Sequence, residues 1–99
     1  MTDLELSIKT RLSCQRALLG SVTGNLRMVT IGWDGLKLFH LRAYFRLSPS
    51  EEDVEEMEAV CAEVLSDIPF EKDRVECLTD LRMIKDLDVL KQIVFARKE

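Results

Sequence analysis

Residues 48–68 read SPSEEDVEEMEAVCAEVLSDI, and this stretch decides how the rest of the chain is organised. Apolar side chains recur in it every three or four residues, which is helical spacing and predicts an amphipathic helix. The apolar stripe comprises Val54, Met57, Cys61, Val64, Leu65 and Ile68. With Ser48 as the N-cap, Pro49 opens the first turn and Glu51 lies three residues after the cap, which predicts a capping box at the start of the helix.

The opposite face of this helix is strongly acidic, and the loop after it continues the charge. The acidic side chains are Glu52, Glu55, Glu56, Glu63 and Asp67 on the helix and Glu71 and Asp73 in the loop. Residues 50–88 hold four basic and fourteen acidic residues, a net charge of −10, whereas residues 1–49 carry +4 and residues 89–99 carry +2. Such a block repels nucleic acid and attracts cationic surfaces. We therefore expect these seven carboxylates to bind a partner with a basic surface.

The composition predicts one small globular domain over residues 1–99, because 46% of the chain is hydrophobic and 32% is charged. No apolar run is long enough to span a bilayer. The first residues, MTDLE, lack the basic-then-apolar order of a secretory signal, so we expect a cytoplasmic protein. Cys14, Cys61 and Cys77 agree with this expectation, because their number is odd and no pair has Cys-x-x-Cys spacing. We interpret all three as structural thiols.

A first helix is predicted over residues 4–19, after a capping box made by Thr2 and Glu5. Gly20 is a natural end for this helix. The face expected to be buried comprises Leu4, Ile8, Leu12, Leu19 and Val22, with Ala17 and Leu18 beside it.

Two strands are predicted at residues 26–33 and 36–45, on either side of an Asp-Gly hairpin signal that follows the turn at residues 23–25. A two-residue loop would place Val29 on the same face as His40. An odd-length loop gives one clean apolar face instead, and we prefer this register because a slip of one residue exchanges the two faces. The preferred apolar face comprises Val29, Ile31, Trp33, Phe39, Leu41, Ala43 and Phe45.

The far face of this hairpin mixes apolar, aromatic and charged side chains. It comprises Met28, Thr30, Leu38, His40, Arg42 and Tyr44. Aromatic and Arg residues are enriched at protein interfaces. An alternative function is therefore that of a homodimeric accessory protein that uses this mixed sheet face as its self-contact.

The last part of the chain predicts two further strands, at residues 74–79 and 89–97, with residues 80–88 left open between a helical turn and a loop. Strand 89–97 is apolar on both sides, which predicts an interior position in the sheet. The order α-β-β-α-β-β predicts an α+β fold, a two-layer sandwich with two helices on one face of a four-stranded mixed or antiparallel sheet. If the second and third strands are neighbours, they are parallel and the acidic helix is their crossover.

The residues offer no pattern typical of a catalytic or metal site. His40 is the only imidazole, the cysteines lack the spacing of zinc ligands, and no glycine-rich phosphate loop is present. We expect no enzymatic activity and no cofactor. The basic residues are scattered over several elements and the pI is near 5.0, so we also expect no direct contact with nucleic acid and none with membranes.

Five segments of the chain resemble a family of small bacterial proteins. They are LSCQRALLG at residues 12–20, NLR at 25–27, WD at 33–34, SEED at 50–53 and VFARKE at 94–99. The resemblance is to immunity proteins of contact-dependent growth inhibition and other polymorphic toxin systems. It implies a non-catalytic protein that binds and neutralises a cognate toxin domain. Such toxins are often nucleases with basic active sites, which an acidic helix can occlude by mimicking nucleic acid.

Tight binding of a toxin would need more than surface charge, because an exposed ion pair contributes only ~0–1 kcal/mol. A desolvated aromatic or Arg anchor usually supplies the rest. The candidate anchors are Tyr44, Phe70 and Trp33, of which Trp33 is expected in the core.

Overall fold

The computed structural model describes residues 1–99 and consists of two helices and a four-stranded sheet. The elements are α1 (Asp3–Leu18), β1 (Leu26–Asp34), β2 (Leu38–Phe45), α2 (Glu51–Asp67), β3 (Lys72–Thr79), a short 3₁₀ turn (Ile84–Asp86) and β4 (Gln92–Ala96). The strand order is β3-β2-β1-β4, in which β1 is antiparallel to both of its neighbours and β2 is parallel to β3. Both helices contribute to the main hydrophobic core with one face of the sheet. The predicted α+β architecture and element order are confirmed.

The hairpin between β1 and β2 has the odd-length loop that we preferred. Trp33 pairs with Phe39 and Ile31 with Leu41, so the loop has three residues and the predicted apolar face is confirmed. Gly35 adopts a φ of +52° in this loop, a left-handed conformation that glycine adopts without steric cost. Burial of one apolar face therefore determines the length of the loop, and the two-residue loop that an Asp-Gly pair normally favours does not form.

The parallel pairing of β2 with β3 makes α2 a crossover helix, which is the arrangement expected if these two strands are neighbours. The pairing extends over the full length of both strands, from Leu38 opposite Lys72 to Phe45 opposite Thr79. A parallel connection needs a long crossover segment that packs back on the sheet. The buried face of α2 meets this need, so its acidic face is turned away from the sheet.

The start of α2 differs from the prediction. Ser50, not Ser48, is the N-cap, and its hydroxyl accepts a hydrogen bond from the backbone N–H of Asp53 at 3.1 Å. The Asp53 carboxylate accepts from the Ser50 backbone N–H at 3.0 Å, which completes the capping box without Glu51. Both residue pairs have the spacing of a capping box. The later pair forms because Asp53 also receives two hydrogen bonds from distant parts of the chain.

The buried face of α1 is not the one that the sequence predicted. The predicted residues Leu4, Ile8, Leu12, Leu19 and Val22 are all exposed, by 39% to 80%. The buried residues are Leu6, Thr10, Ser13, Cys14, Ala17 and Leu18, of which four are small. Small side chains let a helix approach its neighbours closely. This close packing, rather than the largest apolar side chains, selects the face of α1 that is buried.

Strand β4 lies at the edge of the sheet, so the predicted interior position is wrong. It is five residues long and pairs only with β1, at four positions. Val94 and Phe95 pack against the main core, whereas Ile93 is 49% exposed. Two-sided apolarity therefore does not mark a central strand here.

The far face of the hairpin is covered in part by residues 80–91. Met28, Tyr44 and Leu87 form a small buried cluster, and Ile84 packs against it. The Tyr44 hydroxyl donates to the backbone carbonyl of Asp88 at 2.7 Å. The segment that the sequence left open is thus an ordered cover with one 3₁₀ turn. Neither helix is long and apolar enough to cross a membrane.

Candidate functional site

The predicted acidic site divides into a helical part and a loop part. Glu52, Glu55, Glu56, Glu63 and Asp67 all lie on α2, whereas Glu71 and Asp73 follow its C-terminal end. All of these residues are exposed except Glu56, which is half-buried. The structure therefore joins the five helical carboxylates in one rigid element and leaves the other two outside it.

Six of the seven carboxylates have no partner within the chain. Only the Asp67 side chain takes part in an ion pair, with Arg16 at 3.9 Å, and it also accepts a hydrogen bond from the Ser13 hydroxyl at 2.6 Å. The Arg16 side chain is 70% exposed and that of Asp67 48% exposed, so this pair is a weak surface contact. The negative charge of α2 is consequently not neutralised by the basic residues of the first half of the chain.

The helical carboxylates follow a regular geometry. Glu52, Glu56, Glu63 and Asp67 are spaced by four, seven and four residues, which places them in one row along the helix. Because Asp67 contacts α1, this row lies on the α1 side of α2. Glu55 lies further round, on the outward face.

Two further acidic residues of α2 were missed by the sequence analysis. Glu51 and Glu58 are exposed and line, with Glu55, a shallow hollow at the start of the helix. Glu51 had been assigned to the cap, and Glu58 had not been assigned to either face. The sequence could have indicated both residues, because α2 contains eight acidic residues and no basic residue that could pair with them.

Asp53 is the acidic residue that holds α2 in place. It is 6% exposed and accepts hydrogen bonds from the Thr23 hydroxyl at 2.9 Å, the Asn25 side-chain amide at 3.1 Å and the Ser50 backbone N–H. Burial raises the pKa of Asp53, but these hydrogen bonds outweigh it, so the pKa lies below its ordinary value. The carboxylate therefore stays ionised and joins α2 to the turn after α1.

Two of the three aromatic anchors expected from the sequence are buried. Tyr44 is 2% exposed and lies under residues 80–91, and Phe70 is 7% exposed with its ring centroid 5.4 Å from that of Phe39. Trp33 packs against the core, as expected, and the Lys91 ammonium lies 4.8 Å from its ring centroid. Tyr44 and Phe70 are therefore inaccessible to a partner, whereas Trp33 remains half-buried.

The only histidine is part of an ionic cluster on the far face of the sheet. The His40 ring nitrogen and the Arg42 guanidinium both contact the carboxylate of Glu76. Burial raises the pKa of Glu76, but these two contacts outweigh it and hold the pKa below its ordinary value. No thiol or hydroxyl nucleophile contacts the histidine, so the arrangement is that of a structural ion pair.

Two of the three thiols are buried, Cys77 is half-buried, and all three are poorly ionised. Burial raises the pKa of Cys14 to about 12, and burial also raises the pKa values of Cys61 and Cys77. No group of three or more His, Cys, Asp or Glu residues is placed to hold a metal ion. The surface chemistry of the chain is therefore dominated by the free carboxylates of α2.

Comparison with known proteins identifies the family of the chain. No curated protein is significantly similar to it. The model of the MafI2 immunity protein family matches residues 7–99, which include both helices apart from the first turn of α1 and all four strands. Because this match extends over nearly the whole sequence, the chain belongs to the MafI2 immunity protein family.

Proposed function

We propose that the chain neutralises a cognate toxin domain by binding it through the outward carboxylates of α2, and that this toxin is a nuclease with a basic substrate-binding surface. The observation that carries the proposal is the unneutralised charge of α2, which has eight acidic residues, no basic residue and one weak ion pair. Membership of an immunity protein family implies a toxin partner. The charge of α2 then favours a toxin surface of opposite sign.

The mechanism we propose is occlusion and involves no bond-making step. A nuclease binds the phosphates of its substrate with basic side chains. A row of carboxylates on a helix can take the place of those phosphates. Because Glu52, Glu56 and Glu63 have no ion pair within the chain, binding breaks no internal contact of theirs. The toxin would be inactive for as long as the complex lasts.

Rigidity of the acidic helix supports tight binding. Asp53 fixes its N-terminal end through three hydrogen bonds, and Asp67 connects its C-terminal end to Ser13 of α1. A pre-organised surface loses less conformational freedom on binding than a flexible one. The carboxylates between these two fixed points are therefore presented at a constant spacing.

Charge reversal at three positions tests the placement of the site. The variant combines Glu55→Lys, Glu56→Lys and Glu63→Lys, and the probe is the cognate toxin domain, whose gene we expect directly upstream of the gene for this chain. We expect binding to weaken by about 100-fold or more at low salt, and the dependence of log Kd on log salt concentration to become flatter. Titration calorimetry at several salt concentrations measures both effects.

The matched control is a triple variant with the same change of net charge at exposed acidic residues away from α2. It combines Asp34→Lys, Asp86→Lys and Asp88→Lys. We expect it to bind within a few-fold of the unmodified chain at physiological salt. Full affinity in the α2 variant would refute the placement of the site.

The nuclease activity is tested separately. The isolated toxin domain is incubated with plasmid DNA and with RNA, with and without an equimolar amount of the chain. We expect degradation of one substrate and its arrest by the chain. A toxin that binds the chain but degrades neither substrate would refute the nuclease assignment. It would not contradict the proposed acidic binding site.

A further inference from the structure

The outer face of α1 exposes a row of large aliphatic side chains. We call the residues Leu4, Ile8, Leu12 and Leu19 the α1 stripe, and they are exposed by 69%, 41%, 51% and 80%. Leu4, Ile8 and Leu12 lie on one side of the helix, opposite the buried small residues, and Leu19 is the C-cap residue that follows the helix. Single exposed leucines are common, but a contiguous apolar row on the surface of a monomer marks an interaction site.

The α1 stripe adjoins the acidic face of α2. Ser13 contacts Asp67 near the end of α2, whereas Thr23 contacts Asp53 near its beginning, so the chain from residue 13 to residue 23 runs beside α2 in the opposite direction. Leu19 lies between these two contact points. The stripe and the carboxylates therefore share the outer surface of the helical layer.

The stripe also borders two shallow hollows that could receive a side chain. Leu12, Gln15, Arg16 and Leu19 line the first hollow. Leu19 also borders the second, which extends over Val22 and Phe95 to the edge strand β4. The two hollows thus connect the end of the stripe at Leu12 and Leu19 to the edge of the sheet.

Charge decides between the possible occupants of this surface. A second copy stacked on the helical layer would place its α2, with eight acidic residues, over the α2 of the first copy, over its α1 stripe, or outside the contact on the opposite side of α1. In none of these arrangements do the carboxylates of α2 meet a complementary charge. A partner with an apolar centre and a basic rim matches both parts of the surface.

We infer that the α1 stripe is the apolar anchor of the toxin-binding surface, and that it receives aliphatic or aromatic side chains that are flanked by Lys or Arg on the toxin. The identity of this partner rests on the proposed function. The two parts act on different steps of binding. The carboxylates accelerate encounter, whereas the desolvated stripe slows dissociation.

The test removes the apolar groups without changing the charge. The variant combines Leu12→Gln with Leu19→Gln, because glutamine is a good helix former and is neutral. The control combines Leu81→Gln with Met83→Gln, two residues exposed by 75% and 63% on the segment that covers the other face of the sheet. Binding of the cognate toxin domain is measured by surface plasmon resonance at several salt concentrations.

We expect the stripe variant to bind about 30-fold more weakly or worse. The loss should appear in the dissociation rate, and the salt dependence of Kd should match that of the unmodified chain. The control should bind within a few-fold of the unmodified chain. Circular dichroism and the urea midpoint of each variant show that the fold is intact.

The outcomes separate this inference from the proposed function. If the stripe variant binds normally while the charge-reversed α2 variant does not, the anchor is refuted and the acidic site stands. If the stripe variant fails while the α2 variant binds normally, the anchor is supported and the acidic site is refuted. A dimer of the free chain that the stripe variant dissociates would also overturn the inference, because the occupant would then be a second copy.

Discussion

The carboxylate of Asp53 accepts a hydrogen bond from the Thr23 hydroxyl at 2.9 Å, although thirty residues separate the two in sequence. The same carboxylate accepts from Asn25 and from the Ser50 backbone, so one side chain joins the turn before β1 to the start of α2. The proposed toxin-binding helix is therefore oriented by a buried acidic residue that is not itself part of the binding face.

We expect Asp53→Asn to destabilise the fold by about 1–3 kcal/mol, because an asparagine has one acceptor oxygen and leaves a buried donor unpaired. The control is Glu52→Gln, an adjacent exposed residue without an internal partner, which should change stability by less than about 0.5 kcal/mol. Urea denaturation followed by circular dichroism measures both changes. Equal midpoints for the two variants would contradict the role assigned to Asp53.

The effect of Asp53 should depend on pH in a defined direction. Its pKa is lowered in the folded state, so the carboxylate binds protons less readily there than in the unfolded chain. The stabilisation is therefore fully present above the unfolded-state pKa of about 4 and is lost as the pH falls through the folded-state value. We expect the stability difference between the unmodified chain and Asp53→Asn to be constant from about pH 5 to 7 and to narrow below about pH 4. A difference that grew on acidification would contradict this assignment.

Asp53 also shows why the start of α2 was predicted two residues too early. Ser48 with Glu51 and Ser50 with Asp53 have the same spacing, and local sequence cannot rank two valid capping boxes. The choice is made by Thr23 and Asn25, which are distant in sequence. Tertiary hydrogen bonds of this kind cannot be read from a local pattern, so the sequence did not reveal that Asp53 positions α2.

The two faces of α1 should differ sharply in their contribution to stability. Leu6 is 4% exposed and Leu4 is 69% exposed, although both are leucines of the same helix. We expect Leu6→Ala to cost about 2–5 kcal/mol and Leu4→Ala less than about 0.5 kcal/mol. Urea midpoints compare the two variants directly. A larger loss of stability for Leu4→Ala than for Leu6→Ala would indicate that the face predicted from the sequence is the buried one.

The hairpin register and the face of α1 show where sequence patterns succeed and where they fail. In the hairpin, a slip of one residue would exchange an apolar for a mixed face, so the pattern strongly favours one register, and Ile31 pairs with Leu41 as expected. In α1, the most hydrophobic row is the exposed one. Close packing of Ser13, Cys14 and Ala17 outweighs hydrophobicity there. If the α1 stripe binds a toxin, its apolar residues are buried in the complex and contribute little to the stability of the free chain.

The thiols should be unreactive in the folded protein. Cys14 and Cys61 are fully buried, and at a pKa of about 12 the Cys14 thiolate fraction at pH 7 is on the order of 10⁻⁵. We expect no adduct on either residue after treatment with iodoacetamide at pH 7, and slow labelling of the half-buried Cys77. Mass spectrometry identifies the modified sites, and the same reaction in urea should label all three. Rapid labelling of any thiol in the folded state would reopen the possibility of cysteine chemistry.

The mixed sheet face should not hold two copies of the chain together. Half of it is already occupied, because Tyr44 is buried under residues 80–91 and donates to the Asp88 carbonyl. His40 and Arg42 remain half-buried, with their polar atoms directed to Glu76. Their pairing within the chain leaves little surface for a second copy, so we expect sedimentation at micromolar concentration to show a monomer. A dimer that Arg42→Glu dissociates would instead favour the homodimeric accessory function, because the sheet face and not the helical layer would then carry the main interface.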